Sequence, residues 1–358
     1  MGRRRHRCRQ HCGSHPREAL TGIPQLDLFG GSSADSQRDA APADARVVGA
    51  APPDSQLQST AAHLPSDIRL GTSSWSFPGW ADIVYDATYT ERQLARQGLA
   101  AYAQHSLLRT VGIDRSYYAP LDAKAYADYA NAVPPDFRFL VKAERLLVLP
   151  DIEDTRGGVA VNPLFLDAPY ATEVIIAPIV EGLGDRAGPI LFQFSPMHPR
   201  RVGGSREFAT RLHDFLSALP AGPLYAVELR TPDLFTPAYF DALAAAGAVH
   251  AYTVHGSMLP LREQLELLPI TDQRALVIRW MLHTRHGYNE ARAAYTPFNS
   301  IVDADEESRR AIVAAAIAAA DERKEAFVVV NNKAEGSSPL SVFALASLLE
   351  EELAARTR

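Results

Sequence analysis

Eight short apolar segments, each followed by a segment with helical patterning, run from Ile68 to the end of the chain. These segments lack the polar–apolar alternation of a half-exposed strand, so we expect both faces of each strand to be covered. Strands that alternate with helices form a parallel sheet. Eight such units in about 290 residues match the size of a closed (β/α)8 barrel. The sequence therefore predicts an α/β protein with a TIM-like barrel.

The alternative architecture is an open, doubly wound sheet, which usually carries a glycine-rich phosphate loop after its first strand. No such loop follows Ile68–Ser74, and this favours the barrel. The predicted strands are residues 68–74, 107–113, 137–142, 190–194, 224–229, 249–254, 275–281 and 327–330. The predicted helices are residues 90–104, 123–132, 169–183, 206–219, 237–246, 261–268, 306–324 and 340–355. We assign residues 66–358 to the barrel and residues 1–65 to a disordered tail.

Composition limits the environment and the partners of the chain. A hydrophobic content of 47% in 358 residues is enough for a large core, and no apolar segment is long enough to span a bilayer. Both cysteines, Cys8 and Cys12, precede the barrel, so we expect no disulfide framework there and a cytoplasmic protein. The net charge is -6, and the tail is slightly basic, so the barrel is acidic. This argues against non-specific binding of nucleic acid by the barrel and against a membrane partner.

The tail contains one compact apolar segment, Gln25-Leu26-Asp27-Leu28-Phe29. It resembles the peptide by which bacterial proteins bind the DNA sliding clamp, and all five positions agree with that pattern. Leu28 and Phe29 would be the anchors in an apolar pocket, and Gln25 a polar contact. The alternative is that the apolar side chains of this segment pack onto the barrel.

Polar or charged residues stand at the end of nearly every predicted strand. Because the carboxyl ends of barrel strands form the active-site face, we expect these residues to meet at one mouth with a small-molecule ligand. The aromatic loop Gly71–Trp80 should form one wall of that pocket. The candidate catalytic residues are Glu228, Lys142, Asp114 and His255. The candidate substrate-binding residues are Ser73, Trp75, Arg115, Tyr117, Gln193, Arg230, Arg279, Asn331 and Asn332.

Charged residues near the ends of apolar strands need a partner or a ligand. Lys142 and Glu228 could pair with each other, or Glu228 could act as a general base with Lys142 or His255 as the acid. The arginines among the candidates, together with Lys142, could bind a phosphate or a carboxylate. His255, His283 and His286 lack the spacing of a zinc site, so we predict no metal. The sequence does not identify a cofactor.

Six motifs follow one another along the barrel segment, namely Gly71–Trp80, Asp114–Tyr118, Phe137–Lys142, Gly188–Phe194, Val227–Arg230 and Val330–Asn332. Together and in this order, they resemble the motifs of the YecE-like family, also called DUF72. The resemblance extends over residues 67–355 and implies a TIM-like barrel with a pocket at the carboxyl ends of the strands. It implies no settled activity. Family members usually carry a carboxylate where this chain has Gly112 and an amide where it has Asp114, which indicates a divergent branch.

Three functions are compatible with these observations. The first is an enzyme that acts on a small anionic or sugar-like substrate. The second is an accessory protein of DNA replication or repair that is recruited to the clamp through Gln25–Phe29. Metal-dependent phosphodiester chemistry would then depend on Asp114, Glu144, Glu228 and His255. The third is a ligand-binding protein without catalysis.

Overall fold

A computed structural model describes residues 46–153 and 157–356. Eight parallel strands form a closed barrel, which confirms the predicted fold. The strands are β1 (Ile68–Thr72), β2 (Thr110–Ile113), β3 (Arg138–Lys142), β4 (Ala187–Phe194), β5 (Tyr225–Leu229), β6 (Val249–Val254), β7 (Leu276–Trp280) and β8 (Ala326–Val330). The pairing of β1 with β8, in which Ile68 is opposite Ala326, closes the barrel.

Helices that follow the strands pack on the outside of the barrel. They are Glu91–Tyr102, Ala123–Asn131, Ser205–Ser217, Pro237–Ala246, Leu261–Leu267, Glu306–Asp321 and Ser338–Arg356. The connection from β3 to β4 ends in a composite helix with a π-helical segment, Ala171–Ile176, followed by Ala177–Leu183. Pro178 lies at the junction, and its missing N–H removes one α-helical hydrogen bond there. Each predicted helix is present within a few residues of its predicted bounds.

Three elements were absent from the predictions. One is a short antiparallel pair, Asp151–Glu153 with Val159–Val161, and another is the helix Tyr288–Tyr295. The third is the helix Ser55–His63, which lies in the predicted disordered tail. Asp54 caps it by accepting hydrogen bonds from the backbone N–H groups of the first turn, and His63 Nδ1 lies 2.6 Å from Glu350 Oε1 on the last helix.

The predicted disorder is therefore wrong for residues 46–65, which fold against the barrel. The sequence does contain a signal for this helix, because Asp54 is a typical N-cap residue and the residues after it are compatible with a helix. The prediction of disorder relied on the overall composition of the tail instead. The clamp-like segment Gln25–Phe29 lies outside the described residues. None of the described helices is both long and apolar enough to cross a membrane.

Successive side chains along each strand point alternately into and out of the barrel, and this divides the apolar residues into two cores. Outward residues such as Phe139, Val141 and Ile278 pack with the helices in one large cluster. Inward residues form a separate cluster inside the barrel, namely Leu140, Leu191, Ala226, Val249, Ala251, Val277, Phe327 and Val329. Because successive side chains point to opposite faces, the residue two positions after an inward residue also points inward. This alternation determines which residues reach the mouth.

Candidate functional site

A layer of eight polar side chains lies on the inward side at the carboxyl end of the barrel, and each strand contributes one, either from its last two residues or from the residue directly after it. Each follows an inward apolar residue or glycine by two positions, and each is at least 90% buried. The layer consists of Ser73, Asp114, Lys142, Gln193, Glu228, Thr253, Arg279 and Asn331. Seven of these are among the candidates from the sequence. Thr253 was missed, although counting two positions on from Ala251 would have identified it.

Glu228 is the carboxylate of this layer that contacts two arginines, and it is fully buried. Arg279 Nη1 donates to its Oε2, and Arg230 Nε donates to its Oε1 at 2.8 Å. Burial raises the pKa of Glu228, but Arg279 and Arg230 outweigh burial and lower the pKa to about 2. Glu228 is therefore a permanent carboxylate with both oxygens engaged. This arrangement does not suit the predicted role of general base, and it makes Glu228 the residue that positions two guanidinium groups.

Lys142 lies in the same layer and has no close carboxylate. Its Nζ lies 3.5 Å from the centre of the Tyr117 ring, and among the described residues no carboxylate oxygen lies within 4 Å of Nζ. The Lys142–Glu228 pair considered from the sequence is therefore absent. Burial lowers the pKa of Lys142 to about 7; Arg279 and Arg230 add to this shift, and Asp114 opposes it. Lys142 can thus gain or lose a proton near neutral pH.

His255 follows β6 and is only partly exposed. The backbone N–H of Ser257 donates to its Nδ1 at 3.2 Å, so the neutral ring carries its proton on Nε2. Burial, followed by repulsion from Arg230, lowers the pKa of His255 to about 4. The imidazole is therefore neutral at pH 7. Its predicted role as a general acid does not fit this state, although it can donate a hydrogen bond.

Three buried polar atoms of the layer have no hydrogen-bond partner among the described residues. They are Asp114 Oδ1, Thr253 Oγ1 and Arg279 Nε. Asp114 Oδ1 is 3.9 Å from Arg279 Nη2, which is an ion-pair contact without a hydrogen bond. Because unpaired buried polar atoms are costly, these three atoms mark the part of the layer that a polar ligand would satisfy.

The end of β8 contributes a second group of polar residues. Asn331 Nδ2 donates to Ser73 Oγ at 2.8 Å, and the backbone N–H of Lys333 donates to Asn331 Oδ1 at 3.0 Å. Asn332 instead accepts hydrogen bonds from Trp80 Nε1 and from the backbone N–H of Ser338. Asn331 thus belongs to the mouth, whereas Asn332 joins the aromatic loop to the last helix.

Trp75 and Arg115 lie outside the buried polar layer. Trp75 is 92% buried and packs edge-on against Tyr129, with ring centres 5.5 Å apart, so its ring contacts the apolar core. Arg115 begins a 3-10 turn, Arg115–Tyr117, and its side chain is exposed. It is therefore less suited to a buried anion site than Arg230 or Arg279.

Gly71 lies close to the neighbouring strand, because a Cβ at this position would overlap the carbonyl oxygen of Thr110. Gly112 also leaves little space for a side chain, since a Cβ there would lie 2.9 Å from Ser73 O. A family-type carboxylate at residue 112 would require the backbone of the Ser73 loop to shift.

The acidic candidates do not form a metal centre. Glu144 Oε2 accepts a hydrogen bond from Tyr170 Oη at 2.6 Å, and Glu228 is held by its two arginines. Among residues 46–153 and 157–356, no three His, Cys, Asp or Glu side chains are placed to bind one metal ion. The described residues thus do not provide the ligand set that the metal-dependent phosphodiester hypothesis requires.

Comparisons with known proteins agree with this architecture. A DUF72 protein from Thermotoga maritima is 20% identical, with a TM-score of 0.52 over 79% of this chain and 99% of that chain. A DUF72 protein from Enterococcus faecalis is 18% identical, with a TM-score of 0.51 over 79% of this chain and 95% of that chain. No curated protein matches the chain. The model of the family "Protein of unknown function DUF72" matches residues 69–358, and the chain belongs to this family.

Proposed function

We propose that the mouth of the barrel binds a small anionic compound and catalyses a reaction in which Lys142 transfers a proton. The observation that supports this proposal is the environment of Lys142, a buried amine beside two arginines that a buried carboxylate holds in place. Its pKa of about 7 gives both protonation states at neutral pH. Groups with such shifted pKa values are concentrated at functional sites.

The chemistry follows from the charges of the layer. An anionic substrate would lie near Arg230 and Arg279, whose guanidinium groups stabilise negative charge as it develops in the transition state. Neutral Lys142 would remove a proton from the substrate, and protonated Lys142 would return one. Glu228 would act indirectly, because it fixes the two guanidinium groups and does not itself need to contact the substrate.

A screen of small molecules tests this proposal. We expect sugar phosphates or 2-keto acids to raise the melting temperature of the protein, and the matching neutral sugars to leave it unchanged. Arg230→Met should remove this effect, because Arg230 is partly exposed and close to Lys142. Lys124→Met is the matched control, since Lys124 is exposed on an outer helix and pairs with Asp128. A protein that responds equally to neutral and anionic compounds would contradict the proposal.

Turnover separates an enzyme from a ligand-binding protein. We expect Lys142→Met to retain binding of the anion that the screen identifies and to lose conversion of that compound by at least about 100-fold, the usual contribution of a general acid–base group. If the wild-type protein binds the compound tightly but forms no product at any pH between 6 and 9, the non-catalytic function is correct.

We also propose that Gln25–Phe29 binds the bacterial sliding clamp. The observation that favours this is the agreement of all five residues with the clamp-binding pattern. A peptide spanning residues 21–30 should bind purified clamp with micromolar affinity in calorimetry. Replacing Leu28 and Phe29 by Ala in the full chain should abolish binding, because both apolar anchors are lost. Unchanged binding of that variant would show that the segment is not the contact.

A further inference from the structure

A second buried lysine lies at the mouth, on the side formed by the loops after β7 and β8. Lys333 is 94% buried, and its Nζ lies 4.5 Å from the centre of the Tyr288 ring. Tyr288 and Arg292 are one turn apart on the helix Tyr288–Tyr295, so they share a face. The backbone N–H of His283 donates to the carbonyl of Lys333 at 2.8 Å and joins the two loops. We call the group of Lys333, Tyr288 and Arg292 the β7–β8 corner.

The corner brings two cations together without a close counter-ion. Burial, followed by the positive charge of Arg292, lowers the pKa of Lys333 to about 8. Among the described residues, no carboxylate oxygen lies within 4 Å of either cation, although Asp114 and Glu91 act on them from further away. A bound anion would relieve this repulsion and would gain charge-assisted hydrogen bonds from both groups.

The corner is connected to the layer around Lys142. Asp114 acts electrostatically on Lys142, on Lys333 and on Tyr288. Asn331 fixes the backbone of Lys333 and at the same time contacts Ser73 of the layer. The corner and the layer around Lys142 therefore share Asp114 and Asn331 as neighbours.

We propose that Lys333 and Arg292 bind the phosphate group of a phosphorylated substrate, with the hydroxyl of Tyr288 as a third donor. Burial raises the pKa of Tyr288, which keeps that hydroxyl protonated. A phosphate monoester has three terminal oxygens for these three donors, whereas a carboxylate has only two. The loops after the seventh and eighth strands are also where barrels of this type often bind phosphate. The proposal rests on the proposed function of the mouth and specifies its substrate as a phosphate monoester.

Calorimetry at constant ionic strength tests the corner, with ribose 5-phosphate and inorganic phosphate as ligands and with ribose and acetate as comparisons. We expect ribose 5-phosphate to bind the wild-type protein and ribose not to bind. Arg292→Met and Lys333→Met should each raise the Kd for ribose 5-phosphate at least about tenfold. Arg310→Met is the matched control, because Arg310 is exposed on the outer helix Glu306–Asp321, and its Kd should equal that of the wild type.

The possible outcomes separate the corner from the proposed function of the mouth. If Arg230→Met abolishes phosphate binding but Lys333→Met and Arg292→Met retain it, the mouth binds anions and the corner is not the phosphate site. If the protein binds acetate or 2-keto acids but no phosphate, the corner proposal is overturned and the mouth proposal stands. If no anion binds, both are overturned. Arg292 is exposed, so its variant tests the corner even if Lys333→Met fails to fold.

Discussion

The two ends of the barrel both bury charged side chains, but they compensate these charges differently. At the amino end, Arg69 is 93% buried, and its Nη1 lies 2.8 Å from Glu325 Oε1, whose side chain is 49% exposed. Arg109 pairs with Asp136 at 3.1 Å in the same way. Both of these arginines therefore pair with a carboxylate at the protein surface.

At the carboxyl end the charges are buried together. Glu228 and Arg279 pair with almost no exposure, and Lys142 lies beside them without a carboxylate of its own. At the amino end, the Arg69–Glu325 pair joins β1 to the residue before β8, and these are the two strands that close the barrel. Incomplete compensation at the carboxyl end leaves positive charge and a lysine of lowered pKa available to a ligand, which is the pattern expected of a functional face.

The largest expected difference between the ends is in the cost of losing a carboxylate. Glu228→Gln should lower the free energy of unfolding by about 4 kcal/mol, because it leaves Arg279 buried without its counter-ion. The matched variant Glu325→Gln should cost at most about 1 kcal/mol, since that pair is partly exposed. Urea unfolding at pH 7 measures both variants, and equal losses would contradict the comparison.

The stability difference between the wild-type protein and Glu228→Gln depends on pH. The folded-state pKa of Glu228 is about 2, below the ordinary value of 4.5, so its stabilising contribution is complete above pH 4.5 and is lost as the pH falls toward 2. The difference between the wild-type protein and Glu228→Gln should therefore narrow across this interval. A difference that stays constant between pH 5 and pH 2.5 would show that another effect dominates.

The next expected effect has the opposite sign. Lys142→Met should increase the free energy of unfolding at pH 6 by about 2 kcal/mol, because it removes an uncompensated buried cation. The folded-state pKa of about 7 is below the ordinary 10.5, so the penalty is complete below pH 7 and disappears as the pH rises to 10.5. The increase in the free energy of unfolding that Lys142→Met produces should therefore decrease as the pH rises from 7 to 10.5. Arg69→Met, at the other end, should not stabilise the protein, because Arg69 is paired.

A smaller effect is expected in the titration of the two lysines. Competitive acylation followed by mass spectrometry should give an apparent pKa of about 7 for Lys142 and about 8 for Lys333, whereas Lys124 should not titrate below its ordinary 10.5. Saturating phosphate should raise the pKa of Lys333, because a nearby anion favours the charged form. Values of Lys142 and Lys333 equal to that of Lys124 would contradict the burial that we describe.

The fold was predictable because its signal is local and is repeated eight times. All eight strands were identified from apolar segments such as Phe137–Lys142, since both faces of a barrel strand are covered. The helix Ser55–His63 was not identified, because its sequence carries little amphipathic signal and it is stabilised by contact with the last helix. Local sequence patterns do not identify elements whose stability comes mainly from tertiary contacts.

The candidate site was predictable in position but not in role. Alternation along the strands places Lys142, Glu228 and Arg279 on the inner face, and the sequence contains that information. Glu228 on β5 pairs with Arg279 on β7, and β6 lies between these two strands. No local sequence pattern specifies a contact between strands that are not neighbours. The sequence therefore could not distinguish a general base from a buried counter-ion. It also gave the exposed Arg115 and the buried Arg279 the same predicted role in substrate binding.

The smallest expected effect concerns two fully buried threonines, Thr72 and Thr253, whose hydroxyl groups differ in their hydrogen bonds. Thr72 Oγ1 on β1 donates to Ser74 O at 2.7 Å and contacts Tyr102 Oη at 2.8 Å. Thr253 Oγ1 on β6 has no partner among the described residues, although Gln264 binds its backbone. Thr72→Val should cost about 1–2 kcal/mol of stability, because it leaves buried partners unsatisfied.

Thr253→Val should change stability by less than about 0.5 kcal/mol, because it replaces an unpaired hydroxyl with a methyl group of similar size. The hydroxyl of Thr253 lies in the same layer as Asp114 and Arg279, which also carry unpaired polar atoms. If these atoms contact the ligand, Thr253→Val should weaken binding of the anion found in the screen about 3- to 10-fold, the net contribution of one hydrogen bond. Thermal unfolding and calorimetry of the same preparation measure both quantities. A variant that loses stability but keeps the wild-type affinity would place Thr253 among the structural residues of the barrel, where Thr72 belongs.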